Sequence, residues 1–240
     1  MKRNLLLLAV VLVASAVAHA RTATATAKAE MRAPVAAPTL DPEFAALLPP
    51  SEMQVGVAAY DRGDYQQALA DFRQLAAQGD AGAENNLGVM YSKGQGVTQS
   101  YVKALKWYRL AAAQGEAVAE IDLGEMYYEG QGVTQSYAKA LKWFRLAAAQ
   151  GDATAEYNLG LMYYEGQGVT QSYAKALKRY RLAAAQGDAP AEFYLGLMYA
   201  KGQGVTQSYA EALNWWHLAA AQGYVRAEYN LVVRSNNTVT

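Results

Sequence analysis

The chain has 240 residues, 21 basic and 21 acidic side chains, and no cysteine. This balance gives no electrostatic case for binding nucleic acid or an anionic membrane surface, and the absence of thiols excludes a disulfide framework and a lipid-anchored cysteine. Stability has to come from packing alone, for which the length suffices.

Residues 1–20 have the three parts of a secretory signal peptide: Lys2 and Arg3, an apolar run from Leu5 to Val13 too short to span a membrane, and Ala18-His19-Ala20, with cleavage expected after Ala20. This predicts a periplasmic or secreted protein with no membrane insertion after cleavage. Residues 21–50 are rich in alanine, threonine and proline and bury too little to offset the entropy of ordering, so they read as a disordered linker. Its one apolar island, Phe44 to Leu48, reads as a brief contact with the first helix.

Beyond residue 50 the sequence repeats itself. Gly79, Gly115, Gly151, Gly187 and Gly223 recur every 36 residues, and GQGVTQSY stands unchanged at 94–101, 130–137, 166–173 and 202–209. Four units follow, at 80–115, 116–151, 152–187 and 188–223. Each predicts two helices. In the first unit, helix A spans about Ala81 to Lys93, with Ala83, Leu87, Met90 and Tyr91 on one face, and ends at Gly94. Ser100 caps helix B, which runs from Tyr101 to about Gln114 with Ala104, Leu105, Tyr108, Ala111 and Ala112 inward; Ser208 and Glu211 have the spacing of a capping box. The short turn at Gly115 makes neighbouring helices antiparallel.

Residues 51–79 form a shorter capping unit, in which Tyr60 is matched with Tyr91, and Ala68, Leu69 and Phe72 with Ala104, Leu105 and Tyr108. Residues 224–240 supply a final capping helix, Val225 to Arg234, and a polar tail. Gly88, Gly124, Gly160 and Gly196 lie mid-helix, where glycine costs about 1 kcal/mol relative to alanine. Their recurrence predicts close approach of helix B, with Tyr108, Phe144, Tyr180 and Trp216 beside them.

These residues carry a family resemblance. Leu87, Gly88, Met90, Tyr91, Gly94, Gly96, Val97, Ala104, Trp107, Tyr108 and Gly115, with their echoes through residue 223, resemble the Sel-one-like repeat, a relative of the tetratricopeptide repeat; 51–79 is closer to a plain tetratricopeptide unit. The resemblance implies an all-α fold, a right-handed α-solenoid of antiparallel helix pairs, used mainly as an adaptor surface for proteins and peptides. Some exported, cysteine-rich members are linked to β-lactam hydrolysis, but they carry paired cysteines that this chain lacks. Arg179, and Asp71 in the first segment, depart from the tryptophan of the motif, which suggests a partly exposed position.

Catalytic sets are weak. Ser100-Lys103, Ser136-Lys139 and Ser172-Lys175 fit S-x-x-K, yet each serine stands where a helix cap is expected, the fourth copy has Glu211, and neither S-D-N nor K-T-G occurs. His217, the one histidine beyond the leader, occupies the position of Arg109, Arg145 and Arg181 and reads as a solvated helix residue. The column Glu84, Glu120, Glu156, Glu192 and Glu228 lies in the first turn of each helix A, where the helix dipole favours negative charge. GQGV lacks the lysine and strand context of a phosphate loop and reads as a connector with Val97 inward. No enzyme activity, cofactor or metal site is expected.

The remaining face of helix A changes from unit to unit: Asn85, Val89, Ser92; Ile121, Glu125, Tyr128; Tyr157, Leu161, Tyr164; Phe193, Leu197, Ala200; Tyr229, Val233. Apolar and aromatic residues free of core duty along one groove are what an adaptor uses to anchor a peptide. The expected partner groove therefore comprises Ile121, Tyr128, Tyr157, Leu161, Tyr164, Phe193, Leu197 and Tyr229, with Asn86, Asn158 and Asn230 free to bond an extended backbone. Lys93 and Lys201 are too few to clamp acidic C-terminal tails. The chain reads as an exported module that binds a partner protein or peptide; the alternative is a cell-wall-directed hydrolase or β-lactam-binding protein.

Overall fold

The computed structural model describes residues 50–237, with side chains as far as 232; the leader, nearly all of the linker, the apolar island and residue 233 of the groove lie outside the described side chains. Among the described residues eleven α-helices follow in order: α1 (Glu52–Asp61), α2 (Tyr65–Ala77), α3 (Ala81–Lys93), α4 (Tyr101–Ala113), α5 (Ala117–Glu129), α6 (Tyr137–Ala149), α7 (Ala153–Glu165), α8 (Tyr173–Ala184), α9 (Ala189–Lys201), α10 (Tyr209–Ala221) and α11 (Val225–Asn237). There are no strands among the described residues. Each odd-numbered helix pairs with the next even-numbered one, and each pair packs on the next, which is the all-α solenoid the period predicts.

The helix limits follow from capping. Ser100, Ser136, Ser172 and Ser208 each accept a hydrogen bond from the backbone three residues on. Asp80, Asp152 and Asp188 do the same for α3, α7 and α9, at 2.7–3.0 Å. Glu116, one methylene longer, makes no such bond. The A helices α3, α5, α7 and α9 end on Gly94, Gly130, Gly166 and Gly202 in the left-handed conformation, where a side chain is strained. Gln99, Gln135, Gln171 and Gln207 then donate at 2.8 Å to the carbonyls of Ser92, Tyr128, Tyr164 and Ala200, satisfying helix ends that have no internal partner.

The mid-helix glycines are seats for rings. A β-carbon on Gly88, Gly124, Gly160 or Gly196 would stand 2.3–2.6 Å from Tyr108, Phe144, Tyr180 or Trp216. Gly56 meets Phe72 in the same way at 2.8 Å, so the N-terminal pair obeys the same rule. That pair corrects one match. Tyr60 makes an edge contact with Tyr65 at 5.4 Å, as Tyr128 does with Tyr137 and Tyr164 with Tyr173, so Tyr60 belongs with Ser92, Tyr128 and Tyr164 and not with Tyr91. The cause is a connector shorter than GQGVTQS, which hides the register in a residue-type comparison.

Polar contacts tie one pair to the next. Arg109, Arg145 and Arg181 reach the hydroxyls of Tyr127, Tyr163 and Tyr199 in the following pair at 2.8, 3.5 and 2.9 Å. The Arg145 bond holds the Tyr163 phenol below its ordinary pKa. The connectors also bear on the preceding pair: a β-carbon on Gly132 would stand 2.7 Å from Tyr101, and one on Gly168 2.8 Å from Tyr137.

The seat can be tested at its fourth copy. The Tyr180 hydroxyl is buried without a hydrogen-bond partner, and the preceding pair has Phe144 in its place. Tyr180→Phe is therefore expected to stabilise the fold by about 1 kcal/mol, and Gly160→Ala to destabilise it by about 1–3 kcal/mol. Chemical denaturation of both variants checks this, and a Gly160→Ala protein as stable as the parent excludes the seat.

Candidate functional site

The A-helix face does not present all the residues the sequence stripe selects. Ile121 and Phe193 are each only 7% exposed. Ile121 packs in the cluster with Ala155, Leu159 and Met162 of the following pair, and Phe193 in the cluster with Trp216 and Ala227. Their column, which begins with buried Asn85, faces the next A helix, so Ile121 and Phe193 are interface residues and not groove anchors. Tyr229 in the same column is 66% exposed because no described pair follows α11. Tyr157 is half-buried and joins a ring cluster, 5.9 Å from both Tyr180 and Tyr194. Leu161, Leu197, Tyr128 and Tyr164 are half-buried on the next rows of the face.

One of these rows bridges successive pairs. The Tyr60 hydroxyl donates to Gln95 Oε1, that of Tyr128 to Glu165 Oε2 at 3.1 Å, and that of Tyr164 to Gln203 Oε1 at 2.9 Å. Ser92 holds the same position in the second pair and is too short to cross. A cavity of about 220 Å³ opens there, between α3 and α5, lined by Val89, Ser92, Tyr108, Asp122, Glu125 and Gln131 among others.

The cavity carries two carboxylates where its equivalents have neutral side chains. Asp122 stands where α7 and α9 have Asn158 and Tyr194, and Glu125 where they have Leu161 and Leu197. Asp122 Oδ2 is fully buried with no hydrogen-bond partner. Burial, reinforced by the charge of Glu125, pushes the Asp122 carboxyl up to about 7, and the nearby Tyr108 hydroxyl and Lys93 offset this in part. Burial and the same two carboxylates also raise the Tyr108 phenol.

The serine, lysine and buried glutamate candidates are engaged structurally. The Ser100, Ser136 and Ser172 hydroxyls serve as caps, while Lys103, Lys139 and Lys175 lie 5.3, 5.0 and 5.3 Å from the ring centres of Tyr91, Tyr127 and Tyr163. Glu84, Glu120 and Glu192 are buried and accept hydrogen bonds from Gln114, Gln150 and Gln222 at 2.8–2.9 Å. Burial raises Glu120 and Glu192 above the usual carboxylate range. In the fourth pair half-buried Arg179 takes over, gripping both oxygens of Glu156 at 2.8 and 2.9 Å, and Gln186 turns to the Gly151 carbonyl. His217 and Glu228 are exposed. Among the described residues no group of three or more His, Asp or Glu is placed to hold a metal ion, and no helix is long and apolar enough to cross a membrane.

Asp122 has a consequence for stability. The folded state binds its proton more tightly than the unfolded state, whose carboxyl keeps the ordinary 3.8, so the folded state carries the extra proton between about pH 4 and pH 7. Stability then falls as pH rises through that window and levels off above it. Asp122→Asn is expected to remove this slope and to be more stable than the parent at pH 8 by about 1–2 kcal/mol. Denaturant titrations at pH 4.5 and pH 8 measure both; parallel pH profiles for the two proteins contradict the assignment.

Comparison with known proteins places this array. The family model "Sel1 repeat" matches residues 81–116, 117–152, 153–188 and 189–224. Among solved structures, a protective antigen of uropathogenic Escherichia coli with an SLR fold is 37% identical, with a TM-score of 0.67 over 75% of this chain and 39% of that one. A Sel1 repeat protein from Oxalobacter formigenes is 35% identical, with a TM-score of 0.68 over 75% of this chain and 71% of that one. A Klebsiella pneumoniae protein described as a Sel1 repeat protein shares the fold at 22% identity and a TM-score of 0.54, over 77% of this chain and 91% of its own. This chain thus spans well under half of the Escherichia coli protein, and no curated protein matches it. With four consecutive units matched, the chain belongs to the Sel1 repeat family.

Proposed function

We propose that this protein is an exported interaction module that binds a partner protein or peptide along the A-helix face, and that it is not an enzyme. Sel1 repeat proteins generally mediate protein–protein interaction. The observation that carries the reading is a contrast within the array. The ring seats, caps and inter-pair bonds recur, while the rows holding Ser92, Tyr128, Tyr164 and Val89, Glu125, Leu161, Leu197 change identity at a fixed backbone position. A scaffold that repeats its structural residues and varies one half-buried face presents a distinct chemical surface there. The secretory-type leader supports export.

Leu161 and Leu197 are suited to a test because they are half-buried on that face and outside the ring seats. Affinity capture from the cell envelope and medium of the native source is expected to enrich a partner with the parent chain and to lose it with Leu161→Ser plus Leu197→Ser, while the unfolding midpoint stays within a few degrees. Retention of the partner by a folded double variant excludes this face. A fluorescent penicillin at saturation is expected to leave no covalent label, and a label at Ser100, Ser136 or Ser172 reverses the non-enzyme reading.

A further inference from the structure

The cavity between α3 and α5 is a slot that the chain fills with its own side chain elsewhere. In the fourth pair Tyr164 enters the equivalent space: its ring lies 6.4 Å from Tyr180 and 5.6 Å from Tyr194, and its hydroxyl donates to Gln203. Two periods earlier those four positions are Ser92, Tyr108, Asp122 and Gln131, and the last three line the cavity together with Ser92 itself. The phenol has been withdrawn, and two carboxylates, Asp122 and Glu125, have been introduced where the fifth pair has Tyr194 and Leu197.

Apart from Lys93, the polar groups left facing the slot are chiefly acceptors. Asp122 Oδ2 has no exposed surface and no donor. Gln131 turns its amide nitrogen to Glu129, which leaves its oxygen as an acceptor. The Tyr108 hydroxyl is directed to Ser92 Oγ at 3.4 Å. Lys93 lines the same cavity and its charge acts on Asp122, but the ion pair found among the described residues joins Arg179 to Glu156, so Lys93 makes a direct ion pair with neither cavity carboxylate. With Asp122 ionised, an occupant that satisfies this lining donates hydrogen bonds and carries positive charge, and it is long and narrow enough to follow the path of a tyrosine.

We propose that this slot receives an arginine or lysine side chain of the partner, its cationic head meeting Asp122 and Glu125 and its stem lying along Tyr108 where the array elsewhere places its own phenol. The proposal rests on the partner-binding reading above and names the chemistry of one anchor in that partner. Arginine is the better match, since its planar fork serves two carboxylates and stacks on a ring. The rest of the partner then runs toward the apolar rows at Leu161 and Leu197.

Glycine-serine decapeptides with a single central arginine, lysine, tyrosine or leucine, titrated into the full chain and followed by amide chemical shifts, test this directly. The arginine and lysine peptides are expected to shift Ser92 and Gln131 saturably, and the tyrosine and leucine peptides to leave them in place. Asp122→Asn with Glu125→Gln, which preserves shape, is expected to weaken the arginine peptide at least tenfold, and Ser92→Tyr to abolish its binding by filling the slot. No saturable shift with arginine, an equal or stronger response to tyrosine or leucine, or full affinity in the carboxamide variant each overturns the proposal. Capture of the native partner separates the two levels. Loss with the Leu161→Ser, Leu197→Ser variant but not with the carboxamide variant overturns the slot alone, and retention by both overturns the face as well.

Discussion

The distance between the two helices of each pair is set by an aromatic ring lying on a glycine. At five positions, from Gly56 against Phe72 to Gly196 against Trp216, a single added carbon would fall well inside van der Waals contact with that ring. Such a seat is costly for an isolated helix, because glycine gives up backbone entropy and a buried side chain. It is favourable once the ring fills the space, since dispersion contacts are lost steeply with even a small gap. Rings as different as phenylalanine and tryptophan occupy the same seat, so shape at the glycine and not ring chemistry fixes the spacing. With that spacing fixed, the connector glycines can rest on the preceding pair, and arginine can reach a tyrosine hydroxyl in the next one.

The polar network then decides which groups are unavailable for function. Buried glutamates bonded to glutamine at the end of the paired B helix, lysines over tyrosine rings, and serines occupied as caps together absorb nearly every group that resembles a catalytic set. The Arg179–Glu156 pair shows how tightly the arrangement is coupled. Replacing the motif's tryptophan with arginine gives Glu156 a charged partner, and the released Gln186 finds a backbone carbonyl instead. The half-buried A-helix rows vary without such compensation, and recognition resides there in the proposed reading.

Most of the fold was legible from sequence because its causes are local or strictly periodic: the caps, the left-handed glycines and the ring seats each announce themselves at fixed spacing. Three features were not. Tyr60 was matched by residue type, but its register is set by Gly56 and Phe72 through a connector of different length. Ile121 and Phe193 share a helical stripe with exposed residues, and a stripe does not say which neighbouring helix covers it. The glutamine partners of the buried glutamates lie 30 residues away, beyond any local pattern. The cavity itself left a faint signal, a serine in a column that holds Tyr60, Tyr128, Tyr164 and, at its far end, Ala200, which becomes visible only after Tyr60 is placed correctly.

An under-packed interface with a buried carboxylate oxygen that lacks a hydrogen-bond partner is a cost that a globular core would spread across the whole domain. In a linear array each pair contacts chiefly its neighbours, so the penalty at Ser92 and Asp122 stays at one interface. The pairs on either side keep their seats intact, Tyr108 on Gly88 and Phe144 on Gly124, and hold the slot open between them. Rigid walls matter for recognition, because a slot that cannot collapse does not have to be re-ordered when a ligand enters. Local weakness inside a stiff repeat is therefore the arrangement in which a missing side chain becomes a binding feature, and the same sequence change in a deformable core would have closed over and left nothing to bind.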